Sequence, residues 1–417
     1  MENELENQIN CQSEKRAIHL SGAIKLNKDK GRSFLVGKNC VKGIISVTRP
    51  DIVIDGSDAE IEVDVEDCTE NDWSLFYFKQ SARNVILKNV NIFVHIKNPV
   101  HTPRMFSAIY NTAYGLKLQN CHIEVYADKQ INLAGIYNNG NLDTHLETRA
   151  DNLAVSDCYI KAECRTDEYP KECAIYGVYN YLANSISVQN TFIYATNMGN
   201  GEMQKAIGVY TDGRFGRFVG NNIKANGTHN IGKLKEQAHA YGFENEGLYS
   251  IITSNNIVGE WSGASIGLEN KGAFAKVSSN KILATHTICG RSIRNFAEDS
   301  IFDGNILTST SRNARLFEQR GNSCIIKNNL MEVLMPIEEC QSGCGIYIGK
   351  EVMDNIISDN IIKNVKDCAI FASLRAGRIE GNLIESCGNM SVIERAGEEN
   401  SSVADRLDER NIRSIYE

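Results

Sequence analysis

Ile252-Thr-Ser-Asn-Asn-Ile257, Val277-Ser-Ser-Asn-Lys-Ile282 and Phe302-Asp-Gly-Asn-Ile-Leu307 are three copies of one phrase within the stretch from Gly216 to Ile384. An apolar residue is followed by two small or polar residues, an asparagine, and an apolar residue two further on. The phrase returns as Phe218–Asn221–Ile223, Ile325–Asn328–Leu330, Ile357–Asn360–Ile362 and Ile379–Asn382–Ile384, so successive asparagines stand 34, 25, 25, 23, 32 and 22 residues apart. A strand phrase repeating at such a period marks a solenoid. The phrase is short, rich in β-branched residues and free of helical periodicity, so each repeat is a turn of β-structure. An asparagine at one turn position in successive coils bonds through its amide to the coils on either side. The expected fold is therefore all-β: a right-handed parallel β-helix of about thirteen coils with an asparagine ladder.

Earlier coils carry the phrase with other residues in the asparagine slot: Leu87–Val90–Ile92, Leu118–Cys121–Ile123, Val155–Cys158–Ile160 and Val188–Thr191–Ile193. Their longer spacings predict loops leaving the coils between Lys97 and Asn200, around Thr228–Gln237, and again at Met331–Gly343. A solenoid can grow as one domain, so 417 residues need not be split. The expected organisation is a cap or disordered segment at 1–16, the β-helix at 17–394, and a charged cap or tail at 395–417. Only five prolines occur, which suits long ladders whose backbone N–H groups must donate.

The segment Asp51-Ile-Val-Ile-Asp-Gly-Ser-Asp-Ala-Glu-Ile-Glu-Val63 resembles the opening coil of pectate-lyase-like β-helix proteins. That superfamily hosts many activities, so the resemblance implies the fold and leaves the function open.

Composition bounds the partners. A net charge of −8 with no long basic run argues against nucleic acid and anionic membrane, and no apolar stretch approaches the length of a membrane span. Thirteen cysteines, odd in number and scattered, do not form a disulfide framework. With the polar start at Met1–Arg16 they point to reduced thiols and a cytoplasmic location. Cys340 and Cys344 have no second pair or histidine nearby, so no metal is expected, and no cofactor either.

A second strand recurs in each coil: Ser107-Ala-Ile-Tyr-Asn111, Ala134-Gly-Ile-Tyr-Asn138, Tyr176-Gly-Val-Tyr-Asn180, Ile207-Gly-Val-Tyr-Thr211, Tyr241-Gly-Phe-Glu-Asn245, Ile266-Gly-Leu-Glu-Asn270, Arg291-Ser-Ile-Arg-Asn295 and Arg315-Leu-Phe-Glu-Gln319. If its middle apolar residue points inward, alternation turns the next one outward. That outward column reads Tyr110, Tyr137, Tyr179, Tyr210, Glu244, Glu269, Arg294, Glu318. The residues after it form a second amide column.

Such a wall suits a saccharide, with tyrosines Tyr137, Tyr179 and Tyr210 against the sugar rings and His239, Arg294 and Glu318 beside them. Glu244 and Glu269, on adjacent coils, would stand about 5 Å apart, as a retaining glycosidase requires. Like-charge repulsion would then raise one carboxyl into a general acid, with Asp212 and Glu246 flanking the pair. The bland alternative is that the tyrosines only stack and the acids only solubilise. Glu244-Asn-Glu-Gly-Leu-Tyr-Ser-Ile-Ile-Thr-Ser-Asn-Asn-Ile257 also resembles the acid-bearing coil of the inulin fructotransferase and difructose-anhydride hydrolase family. This resemblance implies a trimer and places Glu244 and Glu246 in the acid positions.

The leading expectation is thus a glycoside hydrolase or intramolecular glycosyl transferase acting on an oligo- or polysaccharide. A polysaccharide lyase or uronate epimerase is one alternative, disfavoured by a column that reads as aromatic and acidic with only Arg294 and Lys271 nearby. A non-catalytic glycan-binding or trimeric scaffold is the other.

Overall fold

The recurring phrase folds as two short strands joined at a left-handed corner. The computed structural model describes residues 2–11, 17–27, 32–36, 39–65, 72–97, 105–140, 150–165, 173–198, 204–227, 240–261, 263–285, 288–372, 374–388, 390–394 and 412–414. The chain divides into two compact units, Met1–Thr228 and His229–Glu417, and each is a stack of parallel coils.

In the second unit, Ile251–Thr253 and Asn256–Trp261 lie over Lys276–Ser278 and Lys281–Thr285, which lie over Ile301–Asp303 and Ile306–Ser309. Ile252, Val277 and Phe302 are register partners and fully buried. The corners fall on Ser254, Ser279 and Gly304, with φ of 57°, 55° and 65°. Glycine and small polar residues meet that conformation at least cost. The next residue turns inward and builds the ladder: Asn255 Nδ2 donates to Asn280 Oδ1 at 3.0 Å, Asn280 to Asn305 at 3.0 Å, and Asn305 to Asn329 at 2.9 Å.

The expected ladder position Asn328 is corrected by one residue. Asn328 is the left-handed corner (φ 55°), and Asn329 is the buried rung: its Nδ2 donates to Asn360 Oδ1, and Asn360 Nδ2 to Asn382 Oδ1, at 2.9 Å each. Two isoleucines and two asparagines in succession, Ile325-Ile326 and Asn328-Asn329, make the text ambiguous. Register settles it, because Ile326 is the inward partner of Phe302.

The first unit uses the same coil with a different filling. Its ladder slot holds Val90, Cys121, Cys158, Thr191 and Asn221, all buried. The backbone N–H of Cys121 donates to Cys158 Sγ at 3.4 Å, that of Cys158 to Thr191 Oγ1 at 3.4 Å, and that of Thr191 to Asn221 Oδ1 at 3.0 Å. Thiol and hydroxyl thus act as the acceptor that asparagine supplies elsewhere. Helix Glu2–Cys11 buries Leu5 and Ile9, one turn apart, and Asn10 donates to Ser46 O at 2.7 Å while accepting from Thr48 N at 3.0 Å.

The second strand of the coil belongs to a different sheet from the two short ones, and its asparagines build the second amide ladder. Asn111 donates to Asn138 and Asn138 to Asn180, both at 2.7 Å. In the second unit Asn245 donates to Asn270 at 2.6 Å, Asn270 to Asn295 at 2.8 Å, and Asn295 to Gln319 at 3.0 Å. The eleven cysteines described as free thiols are mostly buried. The insert at Thr228–Gln237 and most of the C-terminal segment from Arg395 lie outside the described residues, whereas Ile412–Ser414 pairs with Leu383–Glu385.

Candidate functional site

Register pairs Glu244 with Glu269, Glu269 with Arg294, and Arg294 with Glu318, then Glu318 with Tyr347 and Tyr347 with Phe371. The carboxylates are therefore neighbours on one face. They are not open to solvent: Glu244 is 6% exposed, Glu269 3% and Glu318 0%.

Cations, not a second unpaired acid, surround each of them. Lys271 Nζ stands 2.6 Å from Glu244 Oε1, 2.8 Å from Glu246 Oε1 and 3.1 Å from Glu269 Oε2. Arg294 Nη1 lies 3.3 Å from Glu269 Oε1. The isolated like-charge pair expected from the sequence is thus replaced by carboxylates bridged through an ammonium. Burial disfavours the Lys271 charge, but Glu244, Glu246 and Glu269 outweigh it and hold the ammonium above the usual lysine range. Burial first, then Glu269 and Glu244, push the Tyr241 hydroxyl well above an ordinary phenol.

Glu318 is the most crowded acid. Arg291 Nε bonds its Oε2, Arg320 Nη2 lies 2.7 Å from Oε1, Arg315 Nη1 3.5 Å from Oε2, and Arg294 Nε 4.0 Å from Oε2. Burial raises this carboxyl, yet Arg291, Arg320, Arg294 and Arg315 together hold it below the usual range.

Arg291 and Arg315 belong to a column that strict alternation misses. Tyr241, Ile266, Arg291, Arg315, Cys344 and Cys368 share one register position, three residues before the glutamate column. Alternation places residues three apart on opposite faces. Here each strand breaks step, because the residue after this column turns inward as well. A Cβ on Gly242 or Gly345 would meet the inward Ile257 or Ile362 at 2.6 Å, and Ser292, Leu316 and Ala369 at the same position are fully buried. Two outward columns therefore flank two inward residues.

Between those columns lies a cavity of about 380 Å³ whose lining includes Arg291, Arg315, Cys344, Tyr347, Asp367 and Phe371. Tyr347 and Phe371 stack in parallel with ring centroids 5.4 Å apart, and the Arg315 guanidinium sits 4.3 Å from the Tyr347 ring centre. Asp367 is exposed at the rim and accepts from Gly343 N at 3.0 Å. The Sγ atoms of Cys344 and Cys368 are 3.5 Å apart. The face expected to be aromatic and acidic is thus, at its cavity, arginine-rich.

The other expected residues are placed as follows. Tyr137 is buried and Tyr179 and Tyr210 half-buried in the first unit, with ring centroids 5.0 Å apart and stacked for Tyr137–Tyr179 and 5.1 Å apart and tilted for Tyr179–Tyr210. Tyr77 and Tyr110 extend the column, and Asn139 donates to the buried Tyr110 hydroxyl at 2.7 Å. Asp212, also in the first unit, accepts from the Leu182 backbone N–H. His239 lies outside the described residues.

No protein-family model matches the chain, and neither does any curated protein. Among solved structures, the A-module of the Azotobacter vinelandii mannuronan C-5 epimerase AlgE6 superposes with a TM-score of 0.51 at 10% identity, over 93% of either chain. The fold is a right-handed parallel β-helix. Two further β-helix likenesses are weaker. The Dettilon tailspike protein gives a TM-score of 0.46 at 13% identity over 91% of this chain, which spans only 61% of the tailspike. The alginate lyase AlyF-OU02, in complex with G6, gives 0.45 at 11% identity, over 100% of this chain and 85% of the lyase. These likenesses add nothing to the resemblance of Glu244–Ile257 to the inulin fructotransferases.

Proposed function

We propose that this β-helix is a carbohydrate-active enzyme acting on a carboxylate-bearing glycan at the cavity of the second unit. The observation that carries the reading is that four guanidinium groups, Arg291, Arg294, Arg315 and Arg320, converge within 4.0 Å on the single carboxylate of Glu318. Glu318, and Glu269 on Arg294, leave this cluster of four guanidinium groups with a net positive charge, and two of its members line the cavity. A cationic, partly enclosed pocket concentrates anionic ligands. Paired guanidinium groups match a carboxylate in charge and geometry.

In this reading Arg291 and Arg315 hold the uronate carboxylate and stabilise the charge that develops when the adjacent C–H is deprotonated. Tyr347, whose ring lies against Arg315 and Phe371, acts as a phenolate that takes this proton and becomes the phenol. Glu318 sets the arginine side chains in place. Transfer of that proton from the phenol to the glycosidic oxygen as its bond to carbon breaks would give a lyase, and a proton delivered by water to the opposite face of the carbanion an epimerase.

A second reading keeps Glu244 and Glu269 as acid and nucleophile of a hydrolase or transferase, with Glu246 held beside them by Lys271. It is favoured by their register pairing in adjacent strands. In that case Lys271 must yield one carboxylate to the substrate.

Incubation with polyguluronate, polymannuronate and polygalacturonate separates the readings. New ultraviolet absorbance from an unsaturated uronate, or a change in uronate epimer ratio by NMR, is expected, and Arg315→Ala should abolish it. New reducing ends without either signal would assign the hydrolase. Inertness toward every uronate polymer would end the proposal.

A further inference from the structure

The first unit carries a hollow of its own, about 460 Å³ in volume, at the bend between the two short strands of each coil. We propose that this groove is a binding site for a neutral oligosaccharide.

The floor is made by the stacked thiols Cys121 and Cys158, and above them runs a column of left-handed corner residues, Asn89, Asn120, Asp157 and Asn190 (φ 56°, 50°, 55° and 49°). Their side chains form an outer polar ladder. Asn120 Nδ2 donates to Asn89 Oδ1 at 2.9 Å, and Asn190 Nδ2 to Asp157 Oδ1 at 3.3 Å. An amide carries two N–H groups and an acceptor oxygen, so a rung that spends one N–H on its neighbour keeps capacity for a ligand. Sugar hydroxyls both donate and accept, and a row of amides answers both needs. The rungs repeat at the strand spacing of about 4.8 Å, close to the length of one pyranose residue.

The facing wall supplies apolar contact. His122, Tyr159 and Phe192 are register partners in successive coils, with His122 and Tyr159 ring centroids 4.5 Å apart and Phe192 48% exposed. A large apolar ring left so open beside an amide row matches a sugar's mixture of C–H faces and hydroxyls.

Charge selects against an anion. Asp157 lines the groove, and Glu124 stands 2.7 Å from His122, so the local balance is acidic. A peptide strand is disfavoured for another reason. The bordering strands, among them Ala154–Ser156 and Tyr159–Cys164, are paired in register on both edges, which leaves no open edge to augment. The site stands apart from the reaction proposed above: every residue in it belongs to the first unit, and failure of uronate turnover would not touch it.

The full chain titrated calorimetrically with cellohexaose, maltohexaose, mannohexaose and hexagalacturonate tests the idea. At least one neutral hexasaccharide should bind. Its affinity should fall by roughly tenfold or more in Tyr159→Ala and in Asn190→Asp, which preserves size and adds charge, and should be unchanged in Arg315→Ala. Thermal unfolding identifies a variant that has lost its fold, and Asn190→Asp serves if Tyr159→Ala has. Absence of binding by all three neutral hexasaccharides overturns the proposal. So does binding that survives both groove variants, or that is lost in Arg315→Ala instead.

Discussion

The ammonium of Lys271 lies 2.6 Å from Oε1 of Glu244 and so sets a positive charge against that buried side chain. The same Nζ reaches Glu269 at 3.1 Å. Removing it in Lys271→Met leaves two buried carboxylates with one fewer cation, and because the lysine itself is 35% exposed, solvent screening brings the cost below that of a fully buried pair, to about 1–2 kcal/mol. Chemical denaturation should show a loss of that size. Because the folded lysine holds its proton above the ordinary range, this contribution is complete below the unfolded pKa and disappears as alkali carries the pH through the raised folded value. Equal stability of the two proteins at neutral pH would remove Lys271 from this role.

Glu318 predicts the opposite pH edge. Its folded pKa is depressed, so its stabilisation is present above the unfolded value of about 4.3 and is lost as acid takes the pH through the lower folded value. Glu318→Gln should be less stable at neutral pH and should show a flatter loss of stability on acidification. The measurement is unfolding midpoint against pH, and parallel curves for variant and wild type would contradict the assignment. The variant should also bind uronate oligomers differently, because its arginines lose the group that positions them.

How far the text revealed this is best judged from the columns. The asparagine phrase made the coil legible, since each rung is both a sequence marker and a hydrogen-bonding part. The glutamate column was legible for the same reason, as one residue per strand at a fixed offset. The burial of Tyr137 and Glu269 was not. An outward side chain becomes enclosed when its neighbours one strand away are large or oppositely charged, and alternation carries no such information. Arg291 and Arg315 stood in the aligned strands from the start. Two consecutive inward residues hid them, and the signal was the recurrent glycine or small residue between the columns, at Gly242, Gly267, Ser292, Gly345 and Ala369, which Leu316 interrupts in the Arg315 strand. At Asn328-Asn329 the phrase itself was ambiguous and only strand register could choose.

Asn280 tests the ladder. Its Nδ2 donates to Ile252 O at 2.8 Å and Asn305 Oδ1 at 3.0 Å, while its Oδ1 accepts from the N–H of Asn255 at 2.9 Å. In Asn280→Ala these buried groups lose their partner together, at about 1–3 kcal/mol for a group left unsatisfied. A destabilisation near 3 kcal/mol is expected in denaturant titration. A loss below about 1 kcal/mol would mean that water replaces the amide and that the rung is not structural.

Phe274 and Phe302 should respond in contrasting ways to substitution. Phe302 is fully buried, and its ring centroid lies 4.8 Å from that of Phe317, so Phe302→Ala should cost about 3–5 kcal/mol. Phe274 is 47% exposed and holds a left-handed corner with φ 60°, where the coil on one side places Tyr249 (φ 59°) and the coils on the other Asp299 and then Ser323. A bulky side chain there is strained by about 1–2 kcal/mol. Against this, Phe274 stacks on Tyr249 at 4.9 Å, worth about 0.5–1.5 kcal/mol. The two effects nearly cancel, so Phe274→Asn should leave the unfolding midpoint within a few degrees of wild type or raise it. A large drop would show that the exposed stack, rather than the backbone preference, fixes this corner.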